Sequence, residues 1–572
     1  MELGTALAVV AFADQCLKYG NKFVKRCRSY LRAEQETVEL LISIESNWVK
    51  METQIEIIKK IAPSLNVRLQ DIQSQILSQL EGKLKTASLI IEQLMTEKRD
   101  MEKIWRHNDR DIVTKMRGLG DMKASKKGTY VAKKNSLNRI VEDIEKWQAR
   151  YDPTWILIMQ MSTGTIDKEL QEQEKKPKGE QIPIIVAAKG IRDASKSSRN
   201  PTLGNQQSIW IEADELAIKL EPIPFSSLQV CALEDEKSIA LVDTMISNAA
   251  ANFNSTMRNV RNLARVLAEV DPYTFGLLKC RGVIKVPRES KSALQPIVDY
   301  NFVLEIPATL TNPQSLRAIL LSGTPYPLDE RLDLAKKLTS SILFVHTVQF
   351  VHKNVRPETI IVFQDENSEI GAPFLAGFEH FRLEDGHTHL TGDDEWEKNI
   401  YRHPSRQGLY PEISYQMQHD IYSLGVVLLE IGLWASFVVY DPQVDDHTPS
   451  PPTRNSILGP TNTIAEVGTL KVAAKSKIAA ETKTKLEQLA QKELPLRLGR
   501  KYTNIVLLCL RVLDTGSDNE NDESEDGFGV GVEEKRRSPN SSEPRSMMDE
   551  DGVVIGVRYI ENVLTKIQEI NL

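Results

Sequence analysis

The sequence specifies a multidomain protein, with an all-α helical bundle at its N-terminus and a larger α+β region after it. Three observations carry this. At 572 residues the chain exceeds what one hydrophobic core organises, which points to roughly two to four domains. From Met1 to Trp155 there are only two prolines, Pro63 and Pro153, and apolar residues recur at helical spacing. Beyond residue 207, strand-like runs such as "SIALVDTM" and "NFVLEI" alternate with helical ones such as "DIYSLGVVLLEIG".

Charge separates the two parts. Residues 1–160 hold 27 Lys and Arg against 21 Asp and Glu, a balance of +6, and the remainder holds 45 against 58, a balance of −13. Such asymmetry implies modules with different partners. The five cysteines, Cys16, Cys27, Cys231, Cys280 and Cys509, form no CxxC pair and no framework spacing, which fits a reducing, cytoplasmic setting. The apolar run Ala6–Ala13 is too short to span a bilayer, which takes about 20 residues. Glu2 stands where a signal peptide would carry positive charge.

Within residues 1–162, Val38, Leu41, Ile42, Trp48 and Val49 are followed by Ile55, Ile57, Ile58 and Ile61, then by Leu69, Ile72, Ile76 and Leu80, all at helical spacing. Breaks are expected at Ala62–Ser64, near Gly118–Gly128 and at Tyr151–Pro153. The segment Leu69–Met95 leaves room for a coiled coil, although its heptads are irregular. The first helix carries Leu3, Leu7, Val10 and Leu17 along one stripe and runs into Lys22, Lys25, Arg26, Arg28 and Arg32. An apolar stripe followed by cations suits an anionic membrane surface, with Leu7, Val10, Lys22, Lys25 and Arg26 as the contacting residues; a buried helix with a solvated basic face is the plainer alternative. A second basic run, Lys115 to Lys134, has no ladder of aromatics between its cations, so no nucleic-acid partner is expected.

The opening "LGTALAVVAFADQC", the length of about 160 residues and the closing "YDPTWILIMQ" resemble the HeLo-type helical bundles of fungal incompatibility and cell-death proteins. The resemblance implies a first helix that engages membrane or self-associates on activation. Residues 163–206, rich in Lys, Glu, Ser, Gly and Pro, read as a linker.

The strongest signal lies further on. Leu332, Leu334, Leu338, Ile342 and Val345 form an apolar helical stripe that leads into "VHKNVRPETIIVF". That stretch is similar to the protein-kinase catalytic loop H-R-D-L-K-P-E-N-I-L-V, with His352, Pro357, Glu358 and Ile360 in agreement. Gly377, Phe378 and Glu379 stand at the D-F-G positions, "YRHPS" with Pro404 near the A-P-E position, and "DIYSLGVVLLEIG", with Asp420, Ser423 and Gly425, at the central C-lobe helix. The resemblance implies a bilobal kinase-like domain, N-lobe 207–306 and C-lobe 307–572, with insertions at about 441–470 and 514–550. A helical bundle before such a domain is similar in architecture to the mixed lineage kinase domain-like protein.

The chemistry is missing where the scaffold is kept. Phosphoryl transfer needs a carboxylate near the acceptor hydroxyl and Mg²⁺ held by the D-F-G Asp and the loop Asn. Here those positions are Asn354, Gly377 and Thr359. Loss of a general base alone costs about 10² to 10⁴ in rate. No GxGxxG lies between residues 165 and 300, and Asp243 or Thr244 falls where the strand lysine belongs. "GVIK", ending at Lys285, reads as part of a β-hairpin and not as the lysine strand. No catalytic residue, metal or cofactor is expected. Pro357, Pro404, Asp420 and Gly425 are structural. An atypical kinase using Glu358 or Glu379, with ATP and Mg²⁺, is the first alternative, and an oligomerising adaptor the second. The implied partners are an upstream signalling protein, a second copy through the bundle, and an anionic membrane. An H-x-H at His387 and His389 beside Asp393 reads as a polar loop, and Ser538 in "KRRSP" as a phosphorylation motif.

Overall fold

The computed structural model describes residues 2–31, 38–107, 139–145, 147–148, 151–161, 164–199, 208–212, 216–233, 239–247, 253–288, 297–348, 350–366, 368–378, 382–383, 395–409, 411, 413–440, 451–458, 472–514 and 559–570. They divide into two units, Met1–Ile182 and Pro183–Leu572.

The first unit is all helical: α1 (Glu2–Leu31), α2 (Val38–Ile61), α3 (Val67–His107), helical residues 139–145 and 151–159, and α4 (Gly164–Glu174). The expected break between α2 and α3 is a 3₁₀ turn at Ala62–Ser64, where Pro63 sits in a first turn that has no use for its missing N–H. Asp14–Lys59, Asn21–Glu52 and Arg28–Glu45 contacts make α2 antiparallel to α1. Cys16 Sγ on the Leu77 carbonyl and Arg26 on that of Ser88 make α3 parallel to it. The buried residues of α1 include the row Val9, Ala13, Cys16, Gly20, Phe23 and Cys27, with Val24 beside it, and those of α3 include the row Leu77, Leu80, Leu84, Ala87, Ile91 and Leu94. Both rows alternate steps of three and four, so the two helices meet along heptad-spaced seams.

The stripe read as a candidate membrane face is therefore not the packed one, and the plainer alternative, its burial, does not hold for Leu7. Leu7 is 62% exposed, and Val10 and Leu17 are half-buried. The seam runs through small residues that a search for large apolar side chains passes over. A second correction concerns Tyr151–Pro153. Residues 151–159 are helical and buried on every side, so "WILIM" forms an interior helix and no break occurs at Pro153. Asp152 enters that interior paired to Lys50 at 2.5 Å and Gln54 at 3.0 Å. The break expected near Gly118–Gly128 and the basic run Lys115–Lys134 lie outside the described residues.

A third correction concerns 163–206. Instead of a linker, α4 closes the first unit, tied by Lys60 to Glu169 at 2.6 Å, and α5 (Pro183–Arg199) opens the second. Polar composition concealed an amphipathic pattern, since Ile184, Ile185, Ala188 and Ile191 are all buried.

The second unit begins with an antiparallel five-stranded sheet of order β1-β2-β3-β5-β4, built from β1 (Leu216–Pro222), β2 (Gln229–Leu233), β3 (Ile239–Met245), β4 (Lys279–Arg288) and β5 (Ile297–Glu305). Helix α6 (Phe253–Ala268) precedes β4 in the chain, so "GVIK" does lie in a β4–β5 hairpin. Lys285 extends over the Trp210 ring, 4.0 Å from its centroid. Then follow β6 (Thr311–Ser315), α7 (Leu316–Ser322), α8 (Leu328–Thr347), β7 (Ile360–Asp365), β8 (Ser368–Leu375), α9 (Met417–Leu433), α10 (Val472–Arg497) and α11 (Gly499–Leu510). Strands β6, β7 and β8 make a second antiparallel sheet. The five apolar residues predicted along α8 are all buried. Every residue of α9 is buried, and Gly425 is the point of closest approach: a Cβ there would lie 2.7 Å from that of Cys509 on α11. Within the expected 441–470 insertion, Thr453–Arg454 pairs with Val438–Val439. Residues 515–558, which include Ser538, lie outside the described residues. The last helix spans 559–568 with a π turn at Ile560–Leu564.

A Cβ built on Gly20 would sit 1.8 Å from the Trp48 ring. Gly20→Leu should therefore destabilise the chain by about 1–3 kcal/mol through overpacking. Urea unfolding followed by tryptophan fluorescence measures this, and an unchanged midpoint would show that α1 and α2 are not packed here.

Candidate functional site

Asp420, in the first turn of α9, anchors the loop that carries the kinase-like motif. Its carboxylate accepts the backbone N–H groups of His352 at 2.8 Å and Lys353 at 2.9 Å, the Tyr415 hydroxyl at 2.7 Å and His346 Nε2 at 3.1 Å. Burial works to raise this carboxyl, but the His346 hydrogen bond, the charges of His346 and His352 and the Tyr415 hydroxyl outweigh it and hold it below the usual carboxylate value. With the loop backbone so fixed, Lys353 adopts φ +66°, in the left-handed region. Pro357 starts the 3₁₀ turn Pro357–Thr359 that carries the loop into β7, and Pro404 starts another at Pro404–Arg406.

The three chemically altered positions contact one another. Asn354 Nδ2 donates to the Gly377 carbonyl at 3.2 Å and its Oδ1 accepts from Arg356 Nε at 2.7 Å. Thr359 Oγ1 donates to the Asn354 carbonyl at 2.6 Å. Gly377 has φ +78°, and a Cβ there would fall 2.4 Å from the Thr359 methyl. An aspartate at 377 fits neither this backbone nor this neighbour. Phe378 is buried, with its ring 4.8 Å from that of His352. Glu379 lies outside the described residues, as do His387, His389 and Asp393. Among the described residues no group of His, Cys, Asp or Glu could hold a metal ion.

Of the two residues considered for the lysine position, Asp243 reaches the site. It is buried on β3, and its Oδ2 accepts the Gly377 N–H at 2.9 Å and the Phe378 N–H at 2.8 Å. Thr244 points to the other side of the strand, bonded to Asn301 on β5. Asp243 therefore ties β3 to the backbone at Gly377 and Phe378.

Glu358, one of the two substitute carboxylates, is committed elsewhere. Arg317 on α7 is fully buried, and donates to Glu358 Oε1 at 3.1 Å, Glu430 Oε1 at 3.0 Å and the Tyr401 hydroxyl at 2.6 Å, with Ser436 as a further partner. Burial opposes the guanidinium charge, and Glu358, Tyr401 and Glu430 outweigh it, so Arg317 stays charged. Burial likewise raises Glu358, yet Arg317 and Arg356 pull it below the ordinary glutamate value. In Glu430 burial prevails, and its carboxyl is raised. The sequence reading passed over Arg317, although a lone arginine inside the apolar run "SLRAILLS" was a visible signal, because a buried arginine needs acidic partners.

In the first unit the candidate membrane residues divide. Arg26 is spent on α3, 2.8 Å from Glu92 and bonded to the Ser88 carbonyl, while Leu7, Lys22 and Lys25 are exposed. Among the described residues no helix is long and apolar enough to cross a membrane.

No protein-family model matches the chain. It is similar to a probable serine/threonine-protein kinase of Dictyostelium discoideum, 24% identical over 159 residues, which is 27% of this chain and 8% of that relative. The chain thus matches less than a tenth of that protein's length. The likeness is to a kinase-like protein over the C-terminal region, and the architecture agrees with it: an all-helical region followed by mixed α+β structure with small antiparallel sheets.

Arg317→Met should cost about 3–5 kcal/mol, because it strands two buried carboxylates. The sign of its pH dependence follows. In the parent chain Glu358, depressed in the fold, stabilises above its unfolded value of about 4.3, and that contribution fades as pH falls through the folded one. In the variant the stranded carboxyls are raised, so their penalty fades as pH falls. The stability gap between the two proteins should narrow from pH 7 to pH 4 in chemical denaturation, and a constant gap would contradict the ion-pair assignment.

Proposed function

We propose that this chain is a two-module signalling protein whose kinase-like unit does not transfer phosphate and instead regulates the N-terminal bundle. One observation supports the reading: the Asp243 carboxylate, one of the two candidates for the strand-lysine position, is bonded to the Gly377 and Phe378 amides. The supporting chemistry is consistent with it. Asn354 has no proton-accepting carboxylate, Thr359 and Gly377 offer no magnesium-binding carboxylate or amide, and Glu358 is neutralised by Arg317. Positions that pack or orient the fold, namely Asp420, Gly425, Phe378 and Pro404, are kept.

The bundle is the output element in this reading, in signalling of the incompatibility or cell-death type. Its α1 presents Leu7 and the cations Lys22 and Lys25 outward, a combination suited to an anionic membrane or to a second copy of the bundle on activation. A change in the kinase-like unit, from a signalling partner or from phosphorylation, would shift the population towards the engaged form.

Two measurements on the full chain test this. Incubated with labelled ATP and Mg²⁺, it should move no phosphate to itself or to a generic acceptor; transfer abolished by Glu379→Gln would establish the atypical kinase instead. Flotation with anionic vesicles should recover the chain once activated, and Leu7→Glu should lower that recovery at least about tenfold. Equal recovery of both proteins would remove the membrane role and leave the adaptor.

A further inference from the structure

The connection between β1 and β2 is where a kinase carries its glycine-rich phosphate loop. In this chain it reads Ile223, Pro224, Phe225, Ser226, Ser227, Leu228, without a glycine. It closes as a tight turn, with the Ile223 N–H on the Leu228 carbonyl and the Ser226 N–H on that of Ile223, both at 3.1 Å. Ile223 and Leu228 are buried.

Three contacts bring this turn down onto the C-lobe. Ser226 Oγ donates to the backbone carbonyl of Glu358 at 2.7 Å, inside the degenerate catalytic loop. Ser315 Oγ donates to the Pro224 carbonyl at 2.6 Å while it accepts the Ala318 N–H as the N-cap of α7. The Phe225 ring lies 4.8 Å from that of Tyr440. Phe225 does so at φ +54°, a region that costs a bulky residue of order 1–3 kcal/mol and persists only where the surroundings impose it. Glycine at 225 would lack the ring, and glycine at 226 the hydroxyl.

We propose that Ile223–Leu228 is a latch, an autoinhibitory contact that shuts the cleft over the Glu358 carbonyl and couples the β1–β2 hairpin to the loop 354–360. It deepens the non-catalytic reading by giving the same cleft a closed, regulated state. In that state Ser226 and Phe225 keep the loop rigid, and lifting the turn frees it.

Hydrogen–deuterium exchange on the full chain tests the latch. In a Phe225→Gly, Ser226→Ala double variant the amides of 354–360 should exchange at least about tenfold faster than in the parent, together with those of 223–228. Amides of α11 should be unchanged, and Ser226→Thr, which keeps the hydroxyl, should stay near the parent rate. Acceleration confined to 223–228 would overturn the coupling, because the turn would then be a surface loop. Acceleration spread equally to α11 would overturn it too, because the variant would only have loosened the fold. Phosphate transfer by the parent chain would sink the non-catalytic reading and leave these exchange rates as they are, so the two failures are distinguishable.

Discussion

One oxygen of Asp243 accepts two backbone amides, and the arrangement of the cleft follows from that. Both acceptor contacts are buried, where leaving either amide unpaired would be costly. The pair fixes β3 to Gly377 and Phe378, the Phe378 ring lies tilted against His352, and the His352 amide rests on Asp420 in α9. A line of contacts therefore joins the five-stranded sheet to α9. A lysine at 243 would present donors to donors and break this line. The substitutions at 243, 354, 359 and 377 are consequently one co-adapted set, since Thr359 fills the space a side chain at 377 would need.

The second organising element is Arg317. Its guanidinium gathers the catalytic-loop Glu358, the α9 Glu430 and Tyr401 into one buried charge cluster. Burial makes such a cluster costly, and the pairing of one guanidinium with two carboxylates is what makes it tolerable. This explains why Glu358 survives in a loop whose other polar chemistry is altered: it is held for position. Its carboxylate is therefore a poor candidate for a general base, because an arginine already neutralises it. Above this cluster the β1–β2 turn has traded the conformational freedom of glycine for hydroxyl and aromatic contacts.

Much of the second unit was legible in the sequence. The motifs around His352, Phe378, Pro404 and Asp420 are dictated by packing, and packing constrains residue type strongly. Counting along β3 narrowed the lysine position to Asp243 or Thr244, and only the alternation of side chains between the two faces of the strand decides between them. Arg317 and the Ile223–Leu228 turn were not found, because each acts through partners roughly 40 to more than 130 residues away that a linear reading does not pair. In the first unit the helices were evident but the seam was not. Ala13, Cys16 and Gly20 pack closely because they are small, whereas Leu7, the kind of residue a hydrophobic search selects, faces outward. The helices α4 and α5 were hidden by Lys- and Glu-rich composition, which is shared by linkers and by the solvated faces of amphipathic helices.

In the proposed reading, the cleft stitched by the Asp243 carboxylate is closed to nucleotide phosphates. Isothermal titration of Mg·ATP into the full chain and into Asp243→Lys tests it most directly. The account predicts no saturable heat with the parent chain up to millimolar ligand, and none with the variant, whose lysine would lose both amide contacts without regaining magnesium-binding side chains at 359 and 377. Saturable micromolar binding by the parent would contradict it.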